Sequence, residues 1–473
     1  MTVSLPLNPL NDPNPIVTVQ VSTVMGPVPN NYQQTGAIIS RGGTNMAPQQ
    51  IALLTEYSDL APLLFPGGAI SAITWALGVV TVTTVAPHGL TSGVSYMIDV
   101  EGCAPVAYNG IHSCTITGTS SFTFPLVTNP GAETTLGTWT SYRATLLSYS
   151  VRSFFNQGRG QSVYVLELGA GITNADEIDA LQTWIDNNPL SFYGYLVPVQ
   201  WDGVHADYIP FLEGFQNNEA MTYFWTTTTT STYQYYANVG KCVVLMIESP
   251  NAPATEDAAA AAFFWGLQFK ATAITRVSPF CYKYVYGITP YPVKNNGPLL
   301  KTLKANNVNY IRTGAEGGIA KTMIYPGTTA DGNDYFNWWW TIDWVQINVN
   351  LNLSNAIING SNNPLAPLYY DQPGINRLLA VNAQTMSSAS EFGMVNGQVV
   401  QTEYNTSKLT AAIAAGEFTA KCDCNAVPFI DYSVAAPGDY ATGEYDGLSI
   451  LFIPARGFVH VLVSVVASQL VTV

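Results

Sequence analysis

The sequence predicts a multidomain chain of α/β and α+β units: a mainly parallel α/β core, a small all-β domain inserted into it, and terminal β-arms that pair between subunits. Three observations predict this. Buried-type strands alternate with helix-patterned segments between 143 and 267, the signature of a parallel sheet covered on both faces. From 71 to 141 the text changes to Thr, Val, Ser and Gly, with alternating runs broken by turn residues every 8 to 12 or so positions. Both ends of the chain carry strand-patterned runs that no local hairpin partners.

Taken in order, residues 1–32 form a Pro- and Asn-rich leader followed by a β-arm. The arm, Ile16 to Val24, alternates at period two, with Ile16, Val17, Val19, Val21 and Val24 as its apolar positions. The α/β core spans 33–70 plus 142–297. It opens with a strand at Gly36–Ser40, a turn at Arg41-Gly-Gly43 and a helical turn at Glu56–Leu60. The insertion at 71–141 reads as a small β-sandwich or barrel facing solvent, with Gly78–Thr84 as a strand and Ala86-Pro-His-Gly-Leu90 as a turn. The core resumes with a helix over Ala144–Phe155 and a strand over Ser162–Leu168. A helix over Asn174–Ile185 has a polar cap and an acidic first turn. Strands at Phe192–Pro198 and Lys241–Ile247 and a helix from Thr255 to Leu267 complete it.

The region 298–466 reads as α+β. Its longest helix runs from Trp338 to Ile358, with Ile342, Val345, Val349 and Leu353 at three- and four-residue steps. Helices at Pro373–Ser388 and Thr406–Ala415 precede closing strands at Leu448–Pro454 and from Phe458 onward. The last residues, 467–473, continue that strand to the final valine, with no Lys or Pro to block pairing. Two such ends point to a subunit that completes sheets in its neighbours by β-augmentation.

Composition narrows the function class. Charged residues are 10% of the chain, against a usual figure of about 25%, which fits either surface buried in an assembly or a secreted β-protein. The net charge of −14 with 17 Lys and Arg excludes the clustered cations that nucleic-acid binding requires. The start has no basic region followed by an apolar one, so no secretory signal is expected. Leu63–Val82 comes nearest to a membrane span and is broken by Pro66, Gly67, Gly68 and Gly78, so no membrane insertion is expected and the chain reads as soluble when made. Cys103 and Cys114 are placed to face each other across a hairpin, while Cys422-Asp-Cys424 is too tight for an ordinary bridge. With Cys242 and Cys281, all six cysteines read as reduced thiols in a cytoplasm, cross-subunit disulfides being the alternative.

No catalytic constellation emerges. There is no Gly-x-Ser-x-Gly elbow and no phosphate-binding glycine loop. His88, His112, His205 and His460 are isolated and lack zinc-ligand spacing, so no cofactor or metal is expected. His88 reads as a turn residue. Asp331, Asn333 and Asp334 lack the remaining ligands of a calcium loop. Asp176, Glu177 and Asp179 fall in a helical first turn, where they offset the dipole rather than form an acid–base pair. Trp338, Trp339, Trp340 and Trp344 with Tyr335 raise a sugar-binding face, but tryptophans on several sides of one helix read better as core.

Four passages resemble contractile tail sheath proteins of long-tailed, myovirus-type bacteriophages: Leu54–Leu64, Ser153–Val165 with its Phe-Phe-Asn-Gln-Gly phrase leading into a strand, Phe192–Pro198, and the Trp-rich helix from Trp338 followed by the terminal strands. The resemblance covers most of the chain outside 71–141. It implies a non-enzymatic subunit stacked as six-membered rings around a tail tube, which contracts to drive that tube through the host envelope. It implies an N-arm at Pro15–Val24 and a C-arm at Ala467–Val473, the latter including Leu470, Val471 and Val473. The recipient hairpin would be Leu448–Val466, with Leu448, Ile450, Phe452, Val459, Val461 and Val463 as its apolar positions. The C-terminal domain would line the tube, with Lys408 and Lys421 as candidate contacts. Implied partners are further copies, the tail tube protein, and baseplate and tail terminator proteins, in a virion assembled in the host cytoplasm. The alternative is a baseplate or fibre adhesin binding host-surface glycans; a cell-wall hydrolase is disfavoured.

Overall fold

The computed structural model describes residues 32–458 apart from 66, 94, 170–172, 217–220, 238, 251–254, 273, 293–295, 333–334, 396–397, 403–423, 429–436, 446, 449 and 451. The chain divides into two units: 1–269 with 284–324 and 329–333, and 270–283 with 325–328 and 334–473. Residues 284–324, expected partly in the core and partly in the C-terminal domain, belong to the first unit. Among the described residues no helix is long and apolar enough to cross a membrane.

The first unit is built on a six-stranded sheet in the order β12-β11-β10-β1-β9-β2, comprising β1 (Gly36–Ser40), β2 (Gln50–Leu54), β9 (Val163–Glu167), β10 (Gly194–Leu196), β11 (Tyr223–Thr228) and β12 (Val243–Ile247). The described pairings of β1 with β9 and β10, and of β11 with β10 and β12, are parallel. Only β2 runs antiparallel, against β9. Every residue of β1, β11 and β12 is buried, as expected for parallel strands covered on both faces. α1 (Tyr142–Phe155) and α4 (Ala258–Leu267) pack together, and α4 crosses β10, β11 and β12. α4 lies close because two strands offer glycine: a Cβ at Gly36 would meet Phe263 at 2.5 Å, and one at Gly194 would meet Phe263 at 2.7 Å. α2 (Asn174–Asn187) carries a complete capping box, Thr173 Oγ1 accepting from Asp176 N at 3.2 Å while Asp176 accepts from Thr173 N at 2.7 Å. α3 (His205–Glu213) follows β10.

Residues Gly68–Ser141 form β3 (Gly68–Ala76), β4 (Val79–Thr84), β5 (Ser95–Glu101), β6 (Gly110–Gly118), β7 (Ser121–Pro125) and β8 (Thr138–Ser141). They close as a barrel in the order β3-β4-β7-β6-β5-β8. The sandwich alternative is thereby corrected: β3 pairs with β8, which removes both edges. Thirteen inward residues, from Ile70 to Trp139, fill the interior. His88 belongs to this interior as a turn residue; its Nδ1 accepts from Leu90 N at 3.1 Å, which leaves Nε2 to carry the proton toward Ser121 O. Cys103 and Cys114 do not face each other. Cys114 pairs across the ladder with Tyr96, Cys103 lies beyond the end of β5, and both are buried free thiols.

The far edge of β12 is closed by the chain itself: Ile247 N donates to Asn309 O at 2.9 Å, Asn309 N to Leu245 O at 2.9 Å, and Ala330 N to Val243 O at 2.9 Å. α5 (Gly297–Ala305) leads into the hairpin β13 (Tyr310–Glu316) and β14 (Ile319–Tyr325). These contacts draw 284–324 into the first unit.

The second unit centres on α6 (Phe336–Asn362) and α7 (Gln372–Glu391), joined by an Asn352 Nδ2 to Thr385 Oγ1 bond of 2.9 Å. The predicted stripe of Val345, Val349 and Leu353 is buried, with Ile342 half-buried. So too are Asp343, Gln346 and Asn350 on other sides of the helix. β15 (Gln398–Thr402) and β16 (Cys424–Pro428) form a separate parallel pair, and α8 (Pro437–Thr442) follows.

Burial pushes the Cys114 and Cys242 thiols up to about 12. Their peptides should stay unlabelled by iodoacetamide at mildly alkaline pH in the native protein and label fully in urea. Rapid native labelling, read by peptide mass spectrometry, would contradict this packing.

Candidate assembly surfaces and the switch-point crevice

The sheet changes winding direction between β1 and β10, and the loops leaving their carboxyl ends diverge there. In open α/β sheets that crevice is where ligands bind. Here it holds the chain's own side chains. Glu167, at the end of β9 and 1% exposed, accepts from Ser40 Oγ (2.6 Å), Thr44 Oγ1 (2.7 Å), Thr44 N (3.1 Å), Gly42 N (2.6 Å) and Gly169 N (2.6 Å). Beside it Glu177, from the first turn of α2, pairs with Arg41 Nε at 2.5 Å and Arg143 Nη1 at 3.1 Å, and accepts from Trp201 Nε1 at 3.3 Å. Arg143 also donates to Arg41 O at 2.6 Å. Burial draws the Arg143 guanidinium below its ordinary value, a shift opposed by Glu177. The remaining space between Arg41, Arg143, Pro198 and Asp257 is about 50 Å³, far below the roughly 300 Å³ of a small-molecule site.

Glu177 therefore does more than offset a helix dipole. Glu167 was visible only as one acid in an apolar strand, and Arg41 only as part of a turn. A charge inside a buried strand is the signal that points to such a network.

The predicted arm residues Ile16, Val17, Val19, Val21, Val24, Leu470, Val471 and Val473 lie outside the described residues, as do Val459, Val461, Val463, Lys408, Lys421, Cys422 and His460. Leu448, Ile450 and Phe452 are described and half-buried, while 449 and 451 of the strand expected over Leu448–Pro454 lie outside the described residues. Among the described residues there, Val395 and Pro454 form an antiparallel bridge, supported by Ala455 N donating to Met394 O at 2.7 Å.

The tryptophan platform does not form. Trp340 is buried, Trp344 meets Phe392 edge-on at 5.9 Å, and the Arg456 guanidinium covers Trp338 at 4.3 Å. Among the described residues, β2 of the large sheet and the two-stranded β13–β14 and β15–β16 sheets have no further strand at their outer edges. A two-stranded sheet is marginal alone.

No family model matches the chain, and no curated protein does. Solved structures do. A chain of the anti-feeding prophage helical sheath in its contracted state aligns with TM-score 0.51 and 10% identity, covering 95% of this chain and 99% of that one. A chain of the anti-feeding prophage baseplate aligns with TM-score 0.50 and 11% identity, covering 97% and 99%. The sheath tail protein of Listeria innocua aligns with TM-score 0.39 and 9% identity over 76% of this chain and 85% of its own. The fold is thus that of contractile tail sheath proteins along nearly the whole chain, and the resemblance seen in sequence holds at the level of fold.

Replacing Glu167 by Gln turns one of its two acceptor oxygens into a donor facing donors. The first unit should lose about 2–4 kcal/mol, measured by urea denaturation; a loss below about 0.5 kcal/mol would remove the network's structural role. Asp257, N-cap of α4, accepts from Ser150 Oγ at 2.6 Å and Ala260 N at 3.1 Å, and burial raises its pKa despite these bonds. A raised carboxyl binds more protons folded than unfolded, so wild-type stability should fall as pH rises from the ordinary aspartate value of 3.8 through the raised one. Asp257→Asn should lack that part of the decline, and parallel pH–stability curves for the two proteins would contradict it.

Proposed function

We propose that this chain is the structural subunit of a contractile phage-like tail sheath, polymerising as stacked hexameric rings around a tail tube and shortening to drive that tube through the host envelope. The observation that carries the reading is the full-length fold likeness to a helical sheath recorded in its contracted state. Work of this kind needs no nucleotide: the free energy is stored in a metastable packing of subunits and released when they repack. The crevice filled by Glu167, Glu177, Arg41 and Arg143 fits a mechanical body better than a catalytic one.

In this reading Ile16–Val24 and Ala467–Val473 are arms that add strands to sheets of adjacent copies, and Leu448–Val466 receives the C-arm. The open-edged β15–β16 pair beside the Val395–Pro454 bridge supports a sheet in this unit that is completed from outside. Lys408 and Lys421 would face the tube, the baseplate and terminator proteins would bound the polymer, and the particle would be a virion tail or its relative, assembled in the host cytoplasm.

Deleting Ala467–Val473 should leave a subunit with unchanged circular dichroism that no longer polymerises in sedimentation velocity. Polymers of unchanged size would remove the arm assignment.

A further inference from the structure

Charge is unevenly placed along this chain. Residues 160–240 contain nine carboxylates and no Lys or Arg, whereas 284–324 contain five Lys and Arg and one carboxylate, Glu316. Both stretches belong to the first unit. Glu167, Glu177 and Asp202 are buried and used in internal bonds, Asp202 accepting from Tyr236 Oη at 3.0 Å. On α2 the exposed carboxylates are Asp176, Asp179 and Asp186. Steps of three and seven residues put them in one row along that helix. Asp207 and Glu213 on α3, which packs beside α2, are exposed as well.

The basic stretch presents its charge on α5. Leu300 and Leu303 are buried and seat that helix, and Val308 N donates to Leu303 O at 3.0 Å. Lys301 and Lys304, three residues apart on neighbouring positions of the helix surface, are exposed. Lys304, in the last turn, also offsets the helix dipole; Lys301 lies further in, where that effect has faded. Neither Lys301 nor Asp179 nor Asp186 forms an ion pair among the described residues.

The two rows stand at opposite ends of the large sheet. Asn309, four residues after α5, closes the β12 edge. α2 is tied to the β2 edge by Gln49 Nε2, which donates to Ala180 O at 3.3 Å. Five strand spacings, roughly 24 Å, separate those edges. That is far beyond the reach of a lysine, so the rows do not neutralise each other within one copy.

We propose that the Lys301–Lys304 row of α5 docks on the Asp176–Asp186 row of α2 in a second copy of this chain. The two helices offer opposite charges at similar spacing, and every copy carries both, which identifies a second copy as the occupant. Because the two rows differ, the contact is head-to-tail and repeats into a ring or an open helix rather than closing as a dimer. A nucleic acid fits α5 less well, since two exposed lysines would set it against a chain of net charge −14. The proposal rests on the polymer-forming reading above and adds a lateral contact separate from the arms.

The test uses the unaltered full chain. Polymers grown from a mixture of isotope-labelled and unlabelled subunits are treated with a carbodiimide, which joins an amine to a carboxylate only where the two touch. Peptide mass spectrometry should find mixed-isotope peptides joining Lys301 or Lys304 to Asp176, Asp179 or Asp186. Polymers that yield no such peptides overturn the docking and leave the sheath reading intact. A chain that forms no polymer overturns both. Charge exchange supplies the second measurement. Lys301→Asp with Lys304→Asp, and separately Asp179→Lys with Asp186→Lys, should each raise the critical concentration for polymerisation about tenfold while leaving the melting midpoint in place, since all four side chains are exposed. All four changes in one chain should return it to within about threefold of wild type. Unchanged critical concentrations in the single-row variants, or no recovery when both rows are exchanged, overturn the pairing.

Discussion

The buried carboxyl of Glu167 organises the first unit. Five donors converge on it, from the end of β1, the loop after it and the backbone beyond β9. With that loop fixed, Arg41 is presented to Glu177, and Glu177 in turn holds Arg143. Arg143 lies two residues beyond Ser141, where the barrel's last strand ends and α1 begins. One cluster thereby ties two strands, two helices and the root of the insertion. Buried ion pairs of this kind add little net stability against an apolar replacement, but breaking one partner is costly. They define one geometry for the end of the sheet.

The same unit shows two treatments of a sheet edge. At β12 the edge is closed by Asn309 and Ala330. At β2 no described strand covers it, the strand has no Lys or Pro, and Ile51 and Leu53 lie on its surface. An unguarded edge is an aggregation hazard for a monomer and an asset for a polymer. The scarcity of charge, 10% of residues, belongs to the same logic, since few like charges oppose the approach of further copies.

Much of the core was legible because burial leaves a periodic trace. β1, β9 and β12 read as apolar runs, α2 as a capped amphipathic segment, and α6 as a long helix around Val345, Val349 and Leu353. The insertion read as all-β, although only strand pairing distinguishes a barrel from a sandwich. β2 escaped notice because five residues with exposure on one side carry too little periodicity. α3 was hidden by Pro210 within it, and β11 by a threonine run that turns out to be interior, with Thr226 bonded to Tyr208 at 2.7 Å. The placement of 284–324 depends on Asn309 reaching Leu245, a long-range contact that no local pattern encodes. Of the candidate site, the arms at Ile16–Val24 and Ala467–Val473 and the hairpin expected at Leu448–Val466 are patterns in the sequence, and both arms and 459–466 lie outside the described residues. The carboxylate network was opaque, since Glu167 and Arg41 meet only after folding.

The central claim is that this chain builds a tube. Electron microscopy of the purified full-length protein over a range of concentrations tests it most directly. The account predicts hollow tubes or stacked rings with six-fold symmetry. A species that remains a monodisperse monomer at the highest concentrations would contradict it.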